Sequence, residues 1–255
     1  MVQVEPLLAF KDNYIWYVSC NKNKVAAVVD PGDANTVLAR LNQNQHDLEA
    51  ILVTHHHWDH TDGILALKEH FPNAVVYGPA NSPYEHIDVR LREGDSVELP
   101  YLSLNVIETP GHTLDHVCYV ANDMLFCGDT LFHGGCGRLF EGTATQMWQS
   151  LQKLARLPDH TKVFCTHEYT LANLEFALKA EPDNPLLIEA QKAALNRRAK
   201  HQPTLPTDIK TQKGINPFLR AQLTQLKDHI PVEYQTEKNQ PEAIFLALRL
   251  WKNHA

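Results

Sequence analysis

The chain has 255 residues, 44% hydrophobic and 21% charged, which is enough apolar material for one large domain or two modest ones. Its formal charge of -7 argues against a surface built to neutralise a nucleic-acid backbone or an anionic membrane, although a local cationic patch for a small anion stays compatible. No uninterrupted apolar run approaches the roughly 18 residues that a membrane-spanning helix needs.

Residues 1–10 contain Glu5 and Pro6 and lack the basic head, long apolar stretch and small-residue cleavage site of a secretory signal, so a cytoplasmic location is expected. Short apolar runs closed by turn residues follow at 15–19, 25–29 before Asp30-Pro31-Gly32, 50–53, 74–77, 102–107, 116–120, 124–127 and 162–165, and these read as strands. Helical spacing interrupts them at 34–42, 62–70 and 145–157, where Met147, Leu151, Leu154 and Ala155 share a face. Beyond Thr170 the texture changes to helix formers, with helices expected at 171–179, 185–200 and 242–252 and a proline-punctuated break at 202–206. The predicted division is therefore a β-rich domain over 1–166 and a helical domain over 167–255.

Five cysteines with no Cys-x-x-Cys pair read as reduced packing thiols. Fifteen histidines are the unusual number, because neutral imidazole is the commonest metal ligand. The run Thr54-His55-His56-His57-Trp58-Asp59-His60 follows an apolar strand and has the pattern His-x-His-x-Asp-His. In extended chain, residues two apart project to one side, so His55 and His57 can act together while His56 faces away. A helix starting near Asp59 would then offer Asp59 and His60 from its first turn. His112, Asp129 and His167 each follow another apolar run, as a site gathered from strand ends requires. Five histidines and two aspartates suffice for two metals with one shared carboxylate. Their nitrogen and oxygen donors fit zinc and would accept iron or manganese.

His56, His116 and His133 stand near these candidates and could orient them. His46, His70, His86, His160, His201, His229 and His254 read as ordinary surface residues. No Gly-x-Ser-x-Gly elbow suggests serine chemistry.

This ordered ligand set resembles the metallo-β-lactamase superfamily. The resemblance implies an α+β fold, an αββα sandwich followed by a C-terminal helical domain. It also implies two divalent metals per chain, the first held by His55, His57 and His112, the second by Asp59, His60 and His167, with Asp129 bridging. Three further stretches, Gly134-Gly135-Cys136-Gly137-Arg138-Leu139-Phe140, His167-Glu168-Tyr169-Thr170, and Asn216-Pro217-Phe218-Leu219-Arg220 with Arg249-Leu250-Trp251-Lys252, narrow the resemblance to the glyoxalase II, or hydroxyacylglutathione hydrolase, family. That likeness extends over essentially the whole chain. It implies hydrolysis of S-(2-hydroxyacyl)glutathione, chiefly S-D-lactoylglutathione, by a metal-bridging hydroxide, in methylglyoxal detoxification. Asp59 and Asp129 would be the catalytic carboxylates, and Arg138, Phe140, Tyr169, Arg249 and Lys252 would bind glutathione. Arg138 stands where lysine is frequent, and Phe140, where some members carry tyrosine, lacks a hydroxyl donor. A monomer without an obligate protein partner, nucleic acid or membrane is expected. The competing readings are a persulfide dioxygenase and another hydrolase of the same fold.

Overall fold

A computed structural model describes residues 2–20 and 22–255. The chain forms two compact units, residues 1–108 with 115–128, and residues 109–114 with 129–255.

The first unit begins with strands β1 (Val2–Ala9), β2 (Asn13–Cys20) and β3 (Val25–Val29), helix α1 (Ala34–Asn44) and strand β4 (Asp47–Leu52). The one-turn helix α2 (Trp58–Thr61), helix α3 (Ile64–His70) and strands β5 (Val75–Pro79) and β6 (Val89–Leu91) follow. The six strands form one mixed sheet in sequence order, antiparallel from β1 to β3 and parallel from β3 to β6. All eight residues of β2 are buried, and its run from Tyr14 to Val18 puts apolar side chains on both faces rather than alternating. Asp33 caps α1 by accepting from the Asn35 amide, and Gln45 closes it in the left-handed region. Val37 and Leu41 of α1 and Ile64 and Leu67 of α3 join Leu7, Ile15, Val28, Ile51 and Val76 of the sheet in one buried cluster. Each such side chain contributes about 1.5–3 kcal/mol through burial.

The same unit continues with β7 (Ser96–Leu99), β8 (Leu102–Glu108), β9 (Val117–Ala121) and β10 (Met124–Gly128), an antiparallel meander. From β9 the Tyr119 hydroxyl donates to the Val53 carbonyl at 2.7 Å, and the Val117 amide donates to the Thr54 carbonyl at 2.9 Å. These bonds tie the meander to the segment that leaves β4.

The second unit holds the small hairpin β11 (Leu131–Phe132) and β12 (Gly135–Cys136), helix α4 (Ala144–Ala155), strand β13 (Lys162–Cys165), helices α5 (Thr170–Ala180) and α6 (Pro185–Ala199), strand β14 (Thr207–Asp208), and helices α7 (Ile209–Ile215) and α8 (Pro241–His254). Thr143 and Gln146 form a capping box on α4, and Asn184 with Pro185 starts α6. Leu174, Ala177, Leu187, Ala194 and Ile215 bury a common face of α5, α6 and α7. These packing units divide the chain differently from the change of texture at residue 166, because β13 and α4 group with the later helices.

The six predicted helices are present with small shifts at their ends, and residues 58–61 form a separate turn ahead of α3. One histidine differs from its surface reading. His46 is buried, and its Nδ1 lies 2.8 Å from the Tyr17 hydroxyl. All five cysteines are buried thiols. Among the described residues, no helix is long and apolar enough to cross a membrane.

Candidate metal centre

The segment leaving β4 places His55 Nε2 3.0 Å from His57 Nδ1, as two residues of extended chain should. His56 turns away and sets its Nδ1 3.0 Å from a carboxylate oxygen of Asp115. His57 precedes α2, whose single turn presents Asp59 and His60, and the His55 and His60 rings lie 4.1 Å apart. The first unit thus brings His55, His57, Asp59 and His60 together on one short loop.

Polar contacts behind the rings set which nitrogen faces forward. The Thr54 hydroxyl has one proton and gives it to Asp30 Oδ2 at 2.8 Å, so toward His55 Nδ1, 3.1 Å away, it accepts. His60 Nδ1 lies 3.0 Å from Asp30 Oδ2, an acceptor-only atom, which leaves the Nε2 lone pair directed toward Asp59 Oδ2 at 3.5 Å.

The second unit repeats this logic. His112 Nδ1 donates to the Arg138 carbonyl at 2.8 Å, so its Nε2 lone pair faces Asp129 Oδ2 at 3.4 Å. The other Asp129 oxygen, Oδ1, lies 3.3 Å from His167 Nε2. Asp129 is buried, and each of its oxygens addresses a different histidine. Lone pairs facing one another in a buried setting are costly unless a cation lies between them. The donor set in each unit therefore fits a divalent metal.

Two close approaches shape these loops. A methyl group on Gly32 would overlap the Asp59 carbonyl, and one on Gly137 would overlap the Asp129 carbonyl oxygen. Neither position tolerates a side chain without moving a candidate ligand.

Around β11 and β12, four side chains clamp the glycine-rich loop. Gln212 accepts from the Gly134 amide at 2.8 Å, Asn216 donates to the Gly135 carbonyl at 2.8 Å, Asn173 donates to the His133 carbonyl at 3.2 Å, and Arg249 donates to the Cys136 carbonyl at 3.0 Å. Beside the loop lies a cavity of about 230 Å³ lined by Phe132, Cys136, Arg138, Tyr169, Ala172, Asn173, Arg249 and Lys252. Four of the five predicted glutathione contacts meet there. Tyr169 stacks on His167 with ring centroids 4.7 Å apart, connecting the cavity to a candidate ligand. Phe140 is outside that lining. It is 62% exposed, with its ring edge on His112 at 5.2 Å.

Arg249 is only 4% exposed and its guanidinium lies over the Phe218 ring at 5.1 Å, so it is no solvated helix residue. Its truncation would loosen the loop as well as remove a cation. Lys252 Nζ lies over the Phe176 ring at 4.9 Å. Burial, followed by the nearby Arg249 charge, pushes its ammonium down to about 8. Of the neighbouring histidines, His116 is buried and stacks on His55 at 4.9 Å. Burial pushes His133 down to about 4, which keeps it neutral at pH 7.

Two residues outside the sequence's candidates reach the ligands. Asn13 Nδ2 donates to Asp59 Oδ2 at 2.9 Å, and Asp30 stands behind His60. The Asp30-Pro31-Gly32 run signalled a turn, and only the placement of His60 reveals a carboxylate aimed inward.

Two family profiles cover nearly the whole chain. One described as metallo-beta-lactamase superfamily matches residues 11–167, and one described as hydroxyacylglutathione hydrolase C-terminus matches residues 168–255. A protein of Pseudoalteromonas translucida (strain TAC 125) named hydroxyacylglutathione hydrolase is 50% identical over 256 residues, covering 100% of both chains. One of the same name from Shewanella halifaxensis (strain HAW-EB4) is 48% identical, again over 100% of both. Among solved structures, ETHE1 from Myxococcus xanthus superposes with a TM-score of 0.66 at 27% identity, over 86% of this chain and 84% of that one. The BLEG-1 B3 metallo-beta-lactamase gives 0.65 at 24% identity, over 86% and 99%, a likeness of fold alone.

Proposed function

This chain belongs to the hydroxyacylglutathione hydrolases of the metallo-β-lactamase superfamily, and from that premise we propose how its residues carry out the reaction. It is an α+β thiolester hydrolase that converts S-(2-hydroxyacyl)glutathione to the hydroxy acid and glutathione, and it binds divalent metal. Its preferred substrate in this proposal is S-D-lactoylglutathione. The observation that carries the proposal is the Asp129 carboxylate, whose two oxygens address His112 and His167 separately. A carboxylate so placed suits a bridge between two metals.

In this reading His55, His57 and His112 hold the first ion, Asp59, His60 and His167 the second, and Asp129 both. The donors suit zinc, with iron or manganese as alternatives. Bound divalent ions make hydroxide available near neutral pH and polarise the scissile carbonyl. The residues of the chain position the reactants around that chemistry. Asp59, whose Oδ2 is braced by Asn13 and faces His60 Nε2, would help to orient the attacking water. Arg138, Tyr169, Arg249 and Lys252 receive the tripeptide in the cavity, and Phe140 offers an apolar edge beside His112. Glutathione leaves as a thiolate, a better leaving group than an amine, so a dedicated general acid is unnecessary.

Residues 1–166 would then be the metal-carrying module and 167–255 the module contributing to glutathione binding. The enzyme acts as a cytoplasmic monomer in this proposal. The direct test is the initial rate of S-D-lactoylglutathione hydrolysis, followed at the thiolester absorbance with metal content measured on the same sample. Chelator-sensitive turnover with two metals per chain is expected. Oxygen uptake with glutathione persulfide, without thiolester turnover, would overturn the assignment.

The depressed Lys252 predicts a pH dependence. As pH rises through about 8 the ammonium loses its proton, and its attraction for a glutathione carboxylate goes with it. The ratio kcat/KM should therefore fall above about pH 8 in the native enzyme and stay level in Lys252→Arg, whose guanidinium remains charged. Matching alkaline limbs in the two proteins would remove Lys252 from substrate binding.

A further inference from the structure

We propose that Asn13 and Asp30 are positioning residues that preset Asp59 and His60, and thereby fix how tightly the chain holds the second of its two metals. This rests on the dinuclear reading above and deepens it, because both residues act on the two ligands assigned to one ion.

The register Trp16↔Val29 puts Asn13, at the start of β2, and Asp30, just past β3, at the same end of neighbouring strands. Both are buried. From there the Asn13 amide donates to Asp59 Oδ2 at 2.9 Å, while Asp30 Oδ2 lies 3.0 Å from His60 Nδ1. A carboxylate on a short side chain can rotate about its terminal torsion. A donor on Oδ2 stops that rotation and holds in place the oxygen that faces His60 Nε2 at 3.5 Å. A carboxylate behind an imidazole selects the tautomer whose Nε2 carries the lone pair and makes that nitrogen a stronger donor.

Asp30 is itself held firmly. The Thr54 amide donates to its Oδ1 and the Thr54 hydroxyl to its Oδ2, each at 2.8 Å. Its backbone has φ 54°, a left-handed conformation uncommon for residues other than glycine. Two residues later, the bare α-carbon of Gly32 lets the Asp59 backbone close in. One strand-end turn therefore supplies the partner of His60 and the space for Asp59. Thr54, immediately before the ligand His55, locks that turn to the loop it supports.

The test is a titration of the metal-free full-length chain with Co2+ alone, reading stoichiometry and visible absorption, for the unaltered protein and for Asn13→Ala and Asp30→Asn. The unaltered protein should take up two equivalents. Asn13→Ala should keep the first at native affinity, and Asp30→Asn, which also meets the Thr54 hydroxyl facing His55, should weaken the first far less than the second. Both should bind the second about 10–100-fold more weakly, the range found when partners behind metal ligands are removed, and shift its absorption. Asp30→Asn retains an acceptor oxygen and should fall between native protein and Asp30→Ala. Thermal unfolding of metal-free Asn13→Ala should match that of the native chain, which separates positioning from a folding defect. Two native-strength equivalents in both variants, or equal weakening of both equivalents, would overturn the inference while leaving the dinuclear reading intact. A single equivalent in the unaltered protein would overturn that reading and the inference with it.

Discussion

Asp129→Ala should abolish thiolester hydrolysis, lowering kcat/KM by about a thousandfold or more, or roughly 4 kcal/mol of transition-state stabilisation. The expectation follows from the reach of one carboxylate: Oδ2 addresses His112 Nε2 at 3.4 Å and Oδ1 addresses His167 Nε2 at 3.3 Å. Asp59, the other candidate aspartate, faces His60 Nε2 at 3.5 Å and is assigned to one ion, so its loss would disturb that ion. Removing Asp129 takes a negative charge and a ligand from both proposed ions at once, and metal content should fall well below two per chain. Asp129→Asn keeps the shape but loses the charge and should lie between. Metal analysis of the purified variants decides the matter, because native stoichiometry in Asp129→Ala would refute the bridging role whatever happens to the rate.

The second large effect is expected at a residue with no functional group. A methyl on Gly137 would overlap the Asp129 carbonyl oxygen and lie 3.1 Å from His112 Nδ1, the atom that donates to the Arg138 carbonyl. The obstruction is backbone rather than the flexible end of a side chain, so the loop itself has to move. Such overpacking costs about 1–3 kcal/mol, which lowers Tm by roughly 5 °C for a chain of this size. Activity should fall further than stability, about a hundredfold, because a displacement near 1 Å at reacting groups costs that much. Gly214→Ala is the matched control. Its methyl would meet only the Leu186 Cδ1 tip at 3.0 Å within α7, and its Tm and rate should stay near native. Equal behaviour of the two variants would show that the Gly137 approach does not matter.

The sequence announced the strands whose apolar runs ended in turn residues, and it announced the ligand loop because spacing of two along extended chain has only one geometric meaning. It was silent about β1, whose Glu5 and Pro6 break an apolar pattern. The sheet order explains the tolerance, since β1 is an edge strand and a proline there removes no essential ladder bond. β11, β12 and β14 span two residues each, too short to leave a periodic signal. Helix α7 hid behind Lys210, Thr211, Lys213 and Gly214, and its value lies in Gln212, which reaches the Gly134 amide from far along the chain. Asn216 belongs to a stretch marked by resemblance, but its bond to the Gly135 carbonyl joins residues far apart in the chain and leaves no local pattern. The same holds for Asp30 and Asn13: a residue that acts through another residue carries no local pattern, only a position in space.

The burial of the thiols has a consequence for the chemistry of the substrate. A thiolester is an acyl donor to any thiolate that can reach it, and transthioesterification onto cysteine would leave the chain acylated. Cys136 lines the cavity assigned here to glutathione. Burial nevertheless raises its pKa, although the Arg249 charge opposes the shift. At Cys165, beside the ligand loop, burial pushes the thiol up to about 12, which disfavours the reactive thiolate at pH 7. Burial thus keeps sulfur beside the proposed reacting groups as a space-filling atom and disfavours the thiolate that would compete with water for the acyl group.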